Sequence, residues 1–157
     1  MNQSTASIVG LKVPDFSAPA TGGQFQLSRR SGKAVVLYFY PKDSTPGCTT
    51  EAMQFRDRHP NFVAAGCAVY GISRDSLKSH DNFKTKLGLP FELIADTDEV
   101  VCRLFDVIRE KNMYGKKVVG VERSTFLIDA NGVLRREWRK VKADGHAFEV
   151  LDAVKAL

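Results

Sequence analysis

Cys48 closes the run Pro41-Lys42-Asp43-Ser44-Thr45-Pro46-Gly47-Cys48, directly behind Val35 to Tyr40, a block of apolar and aromatic β-formers. The block reads as a strand buried on both faces. Pro41 ends it, because proline has no N–H to give a sheet ladder. Thr45 suits a helix N-cap and Pro46 the first helical position, which puts Cys48 at the third. In that register the Thr45 oxygen reaches toward the Cys48 backbone. The chemistry on offer is that of a nucleophilic thiolate. A free thiol ionises near pH ~8.5, and helix N-termini and neighbouring cations favour its anion. Open α/β sheets also bind their ligands outside the carboxyl ends of the strands. The alternative is a small core hydrophobe that happens to be cysteine, which leaves the strand–Pro–Thr–Pro–Gly–Cys setting unexplained.

Pro41-x-x-x-Thr45-x-x-Cys48 resembles the active-site pattern of peroxiredoxins. Tyr38-Phe39-Tyr40-Pro41 with Thr45-Pro46-Gly47-Cys48-Thr49 is similar to the bacterioferritin-comigratory, or PrxQ, subfamily. Gly71-Ile72-Ser73, Ser79-His80-Asp81-Asn82-Phe83, Asn112 to Lys116 and Arg123 to Asp129 carry the same likeness, which spans roughly residues 8 to 157. The resemblance implies a thiol peroxidase acting on hydrogen peroxide and organic hydroperoxides. Cys48 would be the nucleophile that becomes a sulfenic acid. Thr45 would supply a hydrogen-bond donor, and Arg123 the positive charge for the departing oxygen. Pro41 would shield the sulfur from water. Glu51, on the same helical face as Cys48, would either orient Arg123 or serve as a plain first-turn carboxylate. Tyr38 and Phe39 are assigned to the core, with the alternative that one of them lines the pocket.

The sequence departs from the subfamily at the resolving cysteine. Many members carry it five residues after the nucleophile, where this chain has Met53; others carry it on the helix after the second core strand, where this chain has Lys84. Cys67 opens a strand parallel to Val35–Tyr40, which places it on the order of 20 Å from Cys48. Cys102 sits among Val100, Val101, Leu104 and Phe105, as a core residue would. The expectation is a one-cysteine mechanism resolved by an external thiol: thioredoxin, glutaredoxin or glutathione. The alternatives are resolution by Cys102, a peroxide sensor or relay, and a general disulfide oxidoreductase or thioredoxin-like binding module. The missing CxxC weighs against the last.

The chain of 157 residues, 43% hydrophobic and 26% charged, is expected to form one domain over 1–157, with 1–7 a flexible N-terminus. The net charge of +5 is concentrated in part in Arg135 to Lys142, a solvated strand face rather than a nucleic-acid surface. The three histidines are isolated and there is no CxxC, so neither zinc nor any other cofactor is expected. With no basic leader and no long apolar run, a cytoplasmic protein without a membrane partner is expected. The resemblance favours a monomer.

Taken in order, residues 14 to 27 read as two short strands around Gly22-Gly23, and 28–33 as a basic connection into the central strand. The helix after Thr45 should run to about Asp57, stop or kink near His59 because of Pro60, and resume to a C-cap at Gly66. Cys67–Ser73 is a strand, Ser76 to Leu87 a helix, and Phe91–Ala95 a strand. Asp96 or Thr97 can cap a helix through Phe105. A loop over 111–116 should precede Val118–Val121. Ser124–Asp129 and Val133–Lys140 make a hairpin about Ala130-Asn131-Gly132. A final helix, 145–157, should bury Phe148, Leu151, Val154 and Leu157. The order gives an α/β layered fold, and it resembles a thioredoxin-like fold, a central mixed sheet flanked by helices, with an N-terminal β-hairpin extension.

Overall fold

The computed structural model describes residues 8–30 and 32–157; the expectation for residues 1–7 lies outside them, as does Ser31 of the basic connection. Strands β1 (Ser17–Ala20) and β2 (Gly23–Gln26) form the expected hairpin, and a 3-10 turn at Leu27–Arg30 leads into β3 (Ala34–Phe39). Alternation along β3 sends Val35, Leu37 and Phe39 to one side and Val36 and Tyr38, followed by Tyr40, to the other. All are buried, so both sides need cover.

The cover comes from α1 (Pro46–Ala64), α2 (Leu77–Leu87), α3 (Val100–Leu104) and α4 (His146–Lys155). Between them run β4 (Cys67–Ser73), β5 (Glu92–Ala95), β6 (Ile108–Met113), β7 (Lys116–Val121), β8 (Ser124–Ile128) and β9 (Leu134–Trp138). Seven strands form one mixed sheet in the order β2-β1-β5-β4-β3-β8-β9. Strands β3, β4 and β5 are parallel, while β8 runs antiparallel to β3, pairing Ser124 with Phe39. One core joins Val35, Leu37 and Phe39 to Val101, Cys102, Phe105 and Phe126. The other joins Val36, Tyr38 and Tyr40 to Cys48, Phe55, Phe62, Phe83, Val150 and Leu151. The fold is the thioredoxin-like one expected, with its N-terminal hairpin at the sheet edge.

Three local expectations are corrected. Pro60 neither stops nor divides the first helix: α1 is continuous to Ala64. A proline removes one backbone bond, and Phe55 and Phe62, both fully buried, anchor the helix on either side of it. Gly66 follows in the left-handed region, at φ 75°, as a helix-ending glycine should. Residues 111–116 are no loop but the heart of the β6–β7 hairpin, turned at Tyr114 and Gly115, whose φ values are 55° and 80°. Its strands are largely exposed, so no burial pattern marked them. On α4 the buried stripe is His146, Ala147, Val150, Leu151 and Val154, while Phe148 and Leu157 are exposed. His146 can take an inward position because Thr125 Oγ1 and Glu149 Oε1 both lie 2.8 Å from its ring nitrogens. Phe148 instead lies under the Arg58 guanidinium, 3.2 Å from its ring centre. The expected capping of α3 by Asp96 is present: although Glu99 holds the N-cap position, the Asp96 carboxylate accepts from the Val101 and Cys102 N–H groups at 3.1 and 2.7 Å.

Candidate active site

The site forms where the carboxyl end of β3 meets the amino end of α1. Tyr40 N–H still bonds to Ile72 at 3.0 Å, after which the chain leaves the sheet at Pro41. Cys48 lies in the first turn of α1, with 1% of its surface exposed. Because β8 is antiparallel to β3, the residue just ahead of β8 arrives at the same end of the sheet. That residue is Arg123.

Its guanidinium forks. Nη2 donates to Cys48 Sγ at 3.4 Å, and Nη1 donates to Glu51 Oε1 at 2.7 Å. Of the two roles open to Glu51 from sequence, the structure gives it that of Arg123's partner. Burial pushes the Glu51 carboxyl up to about 7, against the opposing pull of Arg123. For Arg123, burial favours loss of the proton, but the Glu51 and Cys48 charges outweigh it and hold the proton more firmly than usual. The two partners move differently because the Glu51 side chain has no exposure at all, whereas Arg123 keeps 15% of its own and part of its hydration. Glu51 Oε2 and the Tyr38 hydroxyl are both buried without a hydrogen-bond partner beside this pair. Desolvation, with Glu51 and Cys48 adding to it, raises Tyr38 well above the ordinary phenol range.

Thr45 occupies the N-cap position with extended backbone, but its hydroxyl does not cap the helix. It donates to the Lys42 carbonyl at 2.8 Å, closing the loop behind the strand. With its hydrogen committed there, the oxygen is left as an acceptor, not as the donor expected. Pro41 is exposed; the apolar cluster that includes Tyr38, Tyr40, Ala52 and Phe55 surrounds the sulfur's side of the sheet.

Two features were missed from sequence. A Cβ added at Gly47 would lie 3.1 Å from Arg123 Nη2, so the glycine ahead of Cys48 makes room for the guanidinium. The signal was the Pro-Gly-Cys spacing itself, read only as helix-start chemistry. The second is a network behind the loop, with Asp43, Asp75 and His80 at its centre. Among the described residues these three have ligand atoms within 4.8 Å of one another. They do not suit a metal: both His80 ring nitrogens are engaged, by Asp43 Oδ2 at 2.7 Å and the Ile94 carbonyl at 2.9 Å.

Cys67 and Cys102 are both free and buried. Burial pushes the Cys67 thiol up to about 12, and its in-register partner is Ala34, at the opposite end of β3 from the site. Cys102 belongs to the core on the far face of the sheet. Burial raises its thiol too, and the Asp96 carboxylate beside it adds to the effect.

The model of the AhpC/TSA family matches residues 9–137. The chain is 52% identical to Peroxiredoxin Bcp of Xanthomonas campestris over 97% of each chain. It is 47% identical to Peroxiredoxin Bcp of Bacillus subtilis over 94% of each. Among solved structures, Xanthomonas campestris peroxiredoxin Q superposes with a TM-score of 0.86 at 55% identity, covering 90% of each chain. A ligand complex of the bacterioferritin comigratory protein of that organism, described for its alkyl peroxide reduction activity, superposes equally well at 54% identity over 90% of each. Among the described residues, no helix is long and apolar enough to cross a membrane.

Proposed function

Since this chain belongs to the AhpC/TSA family, and within it to the Bcp/PrxQ peroxiredoxins, we propose that it reduces hydrogen peroxide and alkyl hydroperoxides at Cys48, by a one-cysteine cycle. The observation that carries the assignment is the Arg123 fork, one N–H on the sulfur and the other on a buried carboxylate.

The Cys48 thiolate attacks one peroxide oxygen. The S–O bond forms as the O–O bond breaks, and the second oxygen leaves as alkoxide or hydroxide, to be protonated to alcohol or water. Negative charge passes from sulfur to the leaving oxygen, and Arg123 is placed to follow it. The Thr45 oxygen accepts the hydrogen of the incoming O–OH group, orienting it. Glu51 holds the guanidinium in place, Gly47 clears its path, and Pro41 ends β3 so that the loop can turn into α1.

The cycle closes with an external thiol, which attacks the Cys48 sulfenic acid, releasing water and leaving a mixed disulfide; a second thiol then frees Cys48. Support comes from position. Cys102 faces the other core and Cys67 the other end of the sheet, so neither reaches Cys48 without the sheet coming apart. Thioredoxin, glutaredoxin or glutathione suit the reductant role, and the same reading has the chain working as one domain, a monomer, in a reducing cytoplasm. Intact mass of peroxide-treated protein under non-reducing conditions tests it. One added oxygen, or its adduct with the reductant, is expected at Cys48; a Cys48–Cys102 disulfide overturns the one-cysteine cycle. Sustained turnover with excess dithiothreitol is expected, whereas arrest after one equivalent of peroxide would indicate a relay.

A further inference from the structure

The loop between β3 and α1 is short, exposed at Pro41, Lys42 and Ser44, and includes a non-glycine residue in the left-handed region, Ser44 at φ 65°. Such a segment needs something to hold its shape. Its middle residue does the opposite of what a loop acid normally does: Asp43 turns inward and is buried. Its Oδ1 accepts the Tyr40 hydroxyl at 2.6 Å. Its Oδ2 meets the Ser79 hydroxyl at 2.8 Å and His80 Nδ1 at 2.7 Å. Its backbone N–H donates to Asp75 Oδ2 at 2.9 Å, an oxygen that also takes the Ser73 hydroxyl.

The His80 ring is fully buried, and its tautomer is dictated from the far side. Nε2 faces the Ile94 carbonyl, which can only accept, so Nε2 carries a hydrogen. On the near side Nδ1 meets Asp43 Oδ2. The ring spans from β5 to the loop, and Ser79 and His80 ride on α2, so α2 directly, and β5 through the ring, are tied to one carboxylate two residues ahead of Thr45.

We infer that Asp43 and His80 are a positioning pair for peroxide reduction: by clamping the β3–α1 loop to α2 and β5, they fix where the Thr45 oxygen stands relative to Cys48 Sγ. The inference rests on the function proposed above. It explains why a fully satisfied polar network is placed behind an apolar site. Buried polar groups that each find a partner specify a single arrangement, and reaction at a positioned nucleophile is sensitive to shifts well below the length of a bond. The Thr45 hydroxyl cannot hold the loop alone, because its one hydrogen ends on Lys42, within the same loop.

The test compares two reactions of one sulfur. Peroxide reduction needs the Thr45 oxygen in place; alkylation of Cys48 by iodoacetamide does not. In Asp43→Asn and His80→Asn, the rate constant for peroxide oxidation should fall about ten- to a hundredfold, with alkylation of Cys48 left at the wild-type rate. Thr45→Val should show the same split, and adding Asp43→Asn to it should cost little more. Peroxide and alkylation rates falling together would mean a loosened fold and overturn the inference, as would two variants that keep both rates. Should both variants fail to fold, the His80 ring N–H resonances in Thr45→Val decide: a shift from wild type supports coupling through the loop, and identical spectra refute it. Wild-type protein that reacts with peroxide elsewhere than at Cys48 would overturn the proposed function instead.

Discussion

Cys48 and Cys102 are exposed by 1% and 0%, on opposite faces of the same sheet, each in the first turn of a helix. Burial and helix position, the two features most readily inferred from sequence, do not separate them. What separates them is the charged group that faces each. At Cys48 it is the Arg123 guanidinium, 3.4 Å from the sulfur. At Cys102 it is the Asp96 carboxylate, which caps α3 and by its charge opposes ionisation of the neighbouring thiol. On the function proposed above, the same amino acid serves as nucleophile on one face and as a core residue on the other. A helix N-terminus welcomes an anion, but a carboxylate already occupying that place turns the preference against a second one.

The comparison breaks most visibly by deleting each sulfur in turn. Cys48→Ser should reduce hydroperoxide consumption to background in an assay with dithiothreitol, while Cys67→Ser and Cys102→Ser should turn over like the wild type. A large loss in Cys102→Ser would show that the two faces are not chemically distinct. Replacing the cation comes next. Arg123→Met should slow oxidation of Cys48 by about 100- to 1000-fold, the scale for losing one group that stabilises developing charge, as read by stopped-flow competition for peroxide.

Glu51 sharpens the comparison through pH. Its folded-state value of about 7 lies above the ordinary 4.5, so the protein's stability relative to Glu51→Gln is greatest below about pH 4.5 and is lost as pH rises through about 7. Urea unfolding across that window should show the difference between the two proteins change by on the order of 3 kcal/mol in favour of the glutamine variant. A pH-independent difference would mean that Glu51 ionises as readily in the fold as out of it. The smallest effect belongs to the inert face. Asp96→Asn removes the charge and keeps only one of the two oxygens that accept from the Val101 and Cys102 N–H groups. It should cost about 1 kcal/mol or less in urea unfolding and make Cys102 more readily alkylated during the opening of α3.

Much of this was legible from residue order. The Val35–Tyr40 strand, the helix start at Pro46, the Ser124–Asp129 hairpin and the αL glycine at 66 follow from local rules of alternation, capping and turn chemistry. The misses have other causes. Pro60 sits inside α1 because Phe55 and Phe62 anchor the helix around it. Phe148 is exposed because His146 takes the inward place, held by Thr125 on β8 and by Glu149 one turn along. The β6–β7 hairpin escaped because it buries little and leaves no hydrophobic period. The Thr45 hydroxyl was assigned to the helix and went to Lys42 instead. At Pro60 and Phe148 tertiary contacts outweighed a local preference.

Within the site, spacing along the chain pointed to the sulfur and to the strand whose carboxyl end it follows, and the family resemblance pointed to the arginine expected beside it. It could not say that this arginine would also grip Glu51, that Gly47 would be its clearance, or that Asp43 would turn inward onto His80. Those pairings join residues far apart in the chain, and only the register between antiparallel and parallel neighbours in one sheet brings them within hydrogen-bonding range.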